Sequence, residues 1–125
     1  MQKFFLLSAA ALGFLGVAIG AFGAHAFRKT LEATGRLETF ETAVKYQFYH
    51  CFALLAVGIL LFQISNRTMV YAGYSFIAGT LVFSGSLYLL CYTQITKWGA
   101  VTPFGGLLLL AGWLLLFIAV WQGLK

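Results

Sequence analysis

Charged residues are scarce in this chain. Only 9% of its 125 residues are charged and 62% are hydrophobic, whereas a soluble domain usually carries about 25% charged residues. So few charges cannot cover a water-facing surface, which excludes a soluble globular domain. Aspartate is absent, so we do not expect paired carboxylates working inside a membrane. The aromatic content of 18% excludes a disordered chain. A small multi-pass membrane protein remains.

Cysteine is rare as well. Cys51 and Cys91 are far apart and form no CxxC pattern, so they give no sign of a zinc or redox motif. We interpret them as small buried hydrophobic side chains. A disulfide between them would need an oxidising environment and Cα atoms within about 7 Å. No nucleophile is paired with a base and no metal-ligand spacing is present, so we expect a non-enzymatic protein without a metal site or cofactor.

Four long apolar stretches follow one another along the chain. Their approximate boundaries are 4–24, 46–64, 69–92 and 102–122. Each is near the roughly 20 residues that a transmembrane helix needs, and none shows the alternating polarity of a barrel strand. In lipid, backbone polar groups must be bonded within the segment, which requires helices. We predict an all-α membrane protein, a bundle of four transmembrane helices forming a single domain over residues 1–125.

The connection between the first two stretches is the longest. We predict an amphipathic connector over about 27–45, which Gly35 divides into a short helix and an N-terminal extension of the second span. Glu41 and Lys45 are spaced to form an ion pair on that extension. Pro103 is expected in the first turn of the last helix, where its missing N–H is harmless.

The first apolar stretch imitates a secretory signal, because Lys3 precedes it and Ala24-His25-Ala26 follows it. Its length of about 20 residues exceeds the 7–15 of a signal core, so we expect a retained helix. The positive-inside rule then favours a cytoplasmic connector. The side that holds the connector would carry five cations against three on the other: Arg28, Lys29, Arg36, Lys45 and Lys97 against Lys3, Arg67 and Lys125.

Polar residues of different spans should gather on one side of the membrane, because successive helices alternate in direction. The candidate ligand-binding residues there are His25, Tyr46, Tyr49, His50, Tyr88 and Thr102. His50 is the strongest candidate, since an ionisable group inside a span is a functional hypothesis by default. The alternative is that His50 only hydrogen-bonds a neighbouring helix.

Small residues recur along one face of the first span and predict helix packing. They are Gly13, Gly16, Gly20 and Gly23, of which Gly16 and Gly20 form a GxxxG pattern. Such a groove lets another helix approach closely. The second helix could belong to the same bundle or to another subunit.

Three functions are compatible with this pattern. The first is a non-enzymatic bundle that binds a membrane lipid, a quinone-like molecule or a partner helix near His50. The second is an oligomeric channel or small transporter, a homo-oligomer joined through the Gly16–Gly20 groove, with a path lined by Ser75, Thr80, Ser84 and Ser86. The third is a redox protein holding haem or a quinone between His25 and His50. No basic run with interleaved aromatic residues indicates nucleic acid.

Five short motifs occur in a recognisable order. They are GAFGAH at 20–25, YQFYH at 46–50, FSGSLY at 83–88, TPFGG at 102–106 and GW at 112–113. Together they resemble the YgdD-like (YwdK-like) family of small inner-membrane proteins, which has a mitochondrial transmembrane relative in animals. The resemblance covers nearly the whole chain and implies four spans in a bacterial inner (plasma) membrane. It implies no reaction and no functional residues, because the family is classed as a domain of unknown function.

Overall fold

A computed structural model describes all 125 residues and contains only α-helices. The helices are α1 (Gln2–Ala24), α2 (Arg28–Ala33), α3 (Leu37–Leu60), α4 (Arg67–Thr93) and α5 (Trp98–Gly123). By length and composition, α1, α3, α4 and α5 can each cross a membrane. The predicted all-α bundle of four transmembrane helices is confirmed.

Glycine ends the short helix α2 as predicted. Gly35 adopts a φ of 70°, which L side chains rarely adopt. Its N–H donates to the carbonyl of Glu32 (3.2 Å), and the N–H of Arg36 donates to that of Leu31 (2.8 Å). These two bonds form a Schellman motif. Helix α3 then begins at Leu37, so the second transmembrane helix starts nine residues before the apolar stretch at 46.

Two local predictions in these connections were wrong. Glu41 and Lys45 form no ion pair, and the ion pair that is present joins Arg28 Nε to Glu32 Oε1 at 2.7 Å. Both Glu41 and Lys45 line a surface cavity instead. Pro103 lies in the second turn of α5 rather than the first, because that helix already begins at Trp98.

The turn between α3 and α4 is fastened by one side chain. Asn66 caps α4, where its Oδ1 accepts from the N–H of Met69 at 2.8 Å. Its Nδ2 donates to the carbonyl of Ala119 on α5 at 3.2 Å. The Asn66 amide therefore caps the N-terminus of α4 and also hydrogen-bonds the C-terminal part of α5.

The glycine groove of α1 is filled by α3 of the same chain. An added Cβ at Gly16 would lie 2.8 Å from the Phe48 ring, and one at Gly23 would overlap the ring of Phe40. The contacts run from Gly23 with Phe40 to Gly13 with Cys51, so the two helices are antiparallel. The prediction of helix packing at these glycines is correct. The groove serves the bundle, so a homo-oligomer cannot use it without unpacking α3.

The core draws on every transmembrane helix. Phe5 of α1, Leu54 of α3, Phe76 of α4 and Leu109 of α5 belong to one buried cluster. Helices α4 and α5 approach closely through small residues, since a Cβ on Gly79 would lie 2.9 Å from the backbone nitrogen of Leu109. This close approach positions α5, which contributes most of the lining of the candidate site.

Candidate ligand-binding site

His50 is held through both of its ring nitrogens. Its Nε2 lies 3.0 Å from Nε1 of Trp113 on α5, and its Nδ1 lies 2.7 Å from the carbonyl oxygen of Tyr46. An indole N–H can only donate, so Nε2 accepts. A carbonyl can only accept, so Nδ1 carries the hydrogen. The bonding pattern assigns the neutral Nδ1–H tautomer to His50 and leaves neither nitrogen available for a haem iron or a metal ion.

His50 belongs to an aromatic cluster. Its other members are Tyr46, Phe76, Phe83 and Trp113. The rings of Tyr46 and Phe83 stack with centroids 4.5 Å apart. Phe76 meets Trp113 edge-on at 5.1 Å, and both rings lie within 6 Å of His50. Such aromatic pairs add about 0.5–1.5 kcal/mol beyond burial. The cluster therefore forms a rigid wall that joins α3, α4 and α5.

This wall bounds a lateral cavity of about 600 Å³ between α3 and α5. Its lining consists of Tyr46, Tyr49, His50, Phe83, Pro103, Gly106, Leu107, Leu109, Leu110 and Trp113. Tyr49, Leu107 and Leu110 are all more than half exposed on the outer surface of the bundle, so the cavity opens towards lipid. Unlike Tyr88, whose hydroxyl is bonded to Gln47, neither Tyr46 nor Tyr49 uses its hydroxyl within the chain.

His25 does not join His50. It is exposed at the C-terminal end of α1, just beyond Gly23, which contacts Phe40 on α3. Phe40 and His50 are ten residues apart on α3, so the two histidines differ in depth by about 15 Å at 1.5 Å per residue. The prediction that both gather on one side of the membrane was wrong, because α3 begins at Leu37 and carries His50 to mid-helix. A haem held between them has no geometric basis.

Tyr88 and Thr102 also lie outside the lateral cavity. Tyr88 Oη donates to Gln47 Oε1 at 2.6 Å, and Gln47 Nε2 donates to the Leu12 carbonyl at 2.8 Å. Thr102 shares a 2.6 Å hydrogen bond with Ser86. Of the six predicted site residues, the structure brings together Tyr46, Tyr49 and His50 alone.

Sequence reasoning missed two residues of this region. Gln47 is buried and joins α1, α3 and α4, and the available signal was an amide side chain at the start of the second apolar stretch. Trp113 holds His50, and the signal was its position in the middle of a span. Trp98 and Trp121 occupy helix ends, the usual place for tryptophan in a membrane protein.

Two hydroxyl groups of α4 bond neighbouring helices. Ser84 donates to the carbonyl of Ala43 at 2.7 Å, and Ser86 is bonded to Phe83 and Thr102. These bonds hold α4 to α3 and α5, a common use of small polar residues in membranes. Two of the four hydroxyls predicted to line a channel are therefore used in packing, whereas the buried Thr80 hydroxyl has no hydrogen-bond partner in the chain.

The cysteines are buried, free and separately bonded. Cys51 Sγ donates to the carbonyl of Ala9 at 3.1 Å, while Cys91 Sγ lies 3.8 Å from the carbonyl of Arg36. The interpretation as small buried side chains fits this arrangement, and the disulfide alternative does not. The chain also contains no group of three or more His, Cys, Asp or Glu side chains that could hold a metal ion.

A four-helix transmembrane bundle with a lateral, lipid-facing cavity defines the chain as a small multi-pass membrane protein. A family model described as "Protein of unknown function (DUF423)" matches residues 19–106. The chain belongs to this family, which confirms the resemblance drawn from its motifs.

Relatives match along almost the whole chain. The UPF0382 membrane protein SH2409 of Staphylococcus haemolyticus is 41% identical, over 97% of this chain and 98% of its own length. The UPF0382 inner membrane protein YgdD of Escherichia coli K12 is 37% identical, over 94% of this chain and 88% of its own. No solved structure matches. The predicted location in the bacterial inner membrane is confirmed.

Proposed function

We propose that this protein binds, without turnover, a lipid-soluble molecule that has a flat ring bearing carbonyl oxygens and an apolar tail, as a quinone does. The observation that carries this proposal is the lateral cavity. It opens sideways towards lipid and combines an apolar lining with the unused hydroxyls of Tyr46 and Tyr49. A ligand could enter it from the bilayer without crossing water.

The size and chemistry of the cavity support a ligand of this class. Its volume of about 600 Å³ lies within the roughly 300–1,000 Å³ typical of small-molecule sites. The phenol hydroxyls of Tyr46 and Tyr49 can donate to carbonyl oxygens, and aromatic side chains offer a flat ring a surface for stacking. Leu107 and Leu110 provide an apolar exit along α5 for the tail.

The bonding of His50 supports binding rather than catalysis. A general base needs a free nitrogen within reach of the proton that it removes. Both nitrogens of His50 are occupied, by the Tyr46 carbonyl and the Trp113 indole. His50 therefore positions the indole that lines the cavity.

Tryptophan fluorescence tests the proposal, because Trp113 lies in the cavity wall and quinones quench nearby indoles. Purified protein in mild detergent is titrated with a short-tailed benzoquinone. We expect saturable quenching in the wild type and in Trp121→Phe, whose indole lies at the far end of α5, and loss of the saturable component in Trp113→Phe. Equal quenching of all three proteins would show simple partitioning into the micelle and would contradict the proposal.

A hydroxyl deletion identifies the binding groups. In competition binding of a radiolabelled quinone, Tyr49→Phe should weaken affinity by about two- to tenfold, the equivalent of one net hydrogen bond. Tyr71→Phe is the matched control, since Tyr71 is equally exposed (55% for each side chain) but lies outside the cavity. An unchanged affinity in Tyr49→Phe would show that the Tyr49 hydroxyl does not bind the quinone.

A further inference from the structure

A second cavity lies at the end of the bundle that holds the short helix α2. It measures about 210 Å³ and lies between the last turns of α1 and the first half of α3. Gly20, Gly23, Phe40 and Val44 form an apolar floor. The cavity is smaller than the roughly 300 Å³ at the lower end of sites for drug-sized molecules, so it suits part of a lipid rather than a whole one.

Three ionisable side chains form the rim of this cavity: Arg28, Glu41 and Lys45. Arg28 Nε is paired with Glu32 Oε1 at 2.7 Å, which leaves the terminal guanidinium nitrogens to donate elsewhere. Glu41 and Lys45 are one helical turn apart yet are not paired with each other. Opposite charges therefore line one small cavity without neutralising each other.

The rim lies at the level of the lipid headgroups. Helix α1 carries no charge between Lys3 and its end at Ala24, and Arg28 begins the next helix. Glu41 and Lys45 come early in α3, opposite the last turns of α1. An occupant would meet the charges at its polar end and the apolar floor at its acyl end.

We propose that this cavity binds the headgroup of a phospholipid that carries both a phosphate and a primary ammonium group, the chemistry of phosphatidylethanolamine. Arg28 and Lys45 bind the phosphate, for which guanidinium and ammonium groups are the usual partners. Glu41 accepts hydrogen bonds from the lipid ammonium. One acyl chain lies along the apolar floor of the cavity. This inference is independent of the quinone proposal, which concerns the opposite side of α3.

The charge arrangement predicts selectivity among common phospholipids. Phosphatidylglycerol offers a phosphate but no cation, so Glu41 would be left without a partner. Phosphatidylcholine offers a quaternary ammonium, which has no N–H to donate. We therefore expect the order ethanolamine over glycerol and choline headgroups. The preference should be about two- to fivefold, since exposed ion pairs contribute modestly.

Native mass spectrometry of the whole protein tests this proposal. The protein is released from mild detergent in an equimolar mixture of the three lipids with identical acyl chains. The wild type and Glu38→Gln should retain phosphatidylethanolamine preferentially, because Glu38 lies on the same helix but outside the cavity. Glu41→Gln should bring the ratio of phosphatidylethanolamine to phosphatidylglycerol close to one.

The second arm of the experiment uses the cations. Lys45→Gln should lower retention of all three lipids, whereas Lys29→Gln, outside the cavity, should not. Equal retention of the three lipids by the wild type would overturn the proposal. So would a preference that survives Glu41→Gln, or one that Glu38→Gln abolishes equally well.

Discussion

The contact between α4 and α5 gives the sharpest test of the packing described above. Gly105 of α5 faces the backbone of Phe83 on α4. A Cβ added at Gly105 would lie 2.7 Å from the Phe83 Cα and 2.8 Å from its Cβ, closer than the 3.0 Å limit below which real Cβ contacts are essentially never seen. These atoms cannot rotate away as the end of a long side chain can. Gly105→Ala must therefore push the two helices apart.

The expected destabilisation follows from three contributions. Overpacking a tight contact costs about 1–3 kcal/mol, and replacing glycine by alanine in a helix returns up to about 1 kcal/mol. Separation of the helices also strains the 2.6 Å bond between Ser86 and Thr102, and a bond of this kind in a membrane averages about 0.6 kcal/mol. With the full return subtracted, we expect Gly105→Ala to lower the free energy of unfolding by about 0.6–2.6 kcal/mol.

Gly85→Ala is the matched control. Gly85 lies in α4, two residues after Phe83, but a Cβ there would meet nothing within 4 Å. It should be neutral or stabilising by up to about 1 kcal/mol. Reversible unfolding by SDS in mixed micelles, followed by circular dichroism, measures both variants. If Gly105→Ala were as stable as Gly85→Ala, the result would contradict the close contact of α4 and α5 at Gly105.

Two further predictions concern single side chains. Asn66→Ala removes the cap that binds the Met69 N–H and the bond to the Ala119 carbonyl, so it should lower the free energy of unfolding by about 1–2 kcal/mol. Asn66→Ser also loses the Ala119 bond but keeps a capping oxygen, so it should lose less stability than Asn66→Ala. The reverse order in SDS unfolding would exclude capping as the cause. Tyr88→Phe leaves the buried Gln47 Oε1 unpaired. In a double-mutant cycle with Gln47→Leu we expect a coupling energy of about 0.6–1.7 kcal/mol, and strictly additive effects would show that the bond contributes nothing.

The transmembrane helices and their packing faces could be predicted because each depends on a repeated local signal. Hydropathy located the four spans, and the spacing from Gly13 to Gly23 located the face that packs. The positive φ of Gly35 follows from the same local logic, since glycine reaches that conformation without steric cost.

The depth of the site could not be predicted from the same signals. An apolar stretch ends where polar residues begin, whereas the helix continues as long as its backbone bonds do. Helix α3 therefore starts at Leu37, and His50 lies about 14 Å further from the helix end than the apolar boundary at 46 suggests. The hydrogen-bond partner of His50 could not be predicted either. Its bond with Trp113 depends on how α3 and α5 are rotated relative to each other.

The burial of both cysteines has a practical consequence for mapping the protein in its membrane. Cys51 is 5% exposed and Cys91 is 1% exposed, so water-soluble maleimides should not label the natural chain. No cysteine needs to be removed before a new one is introduced. A single cysteine at Thr34, in the turn after α2, or at Ser65, in the turn before α4, would then report by its labelling which side of the bilayer each turn faces.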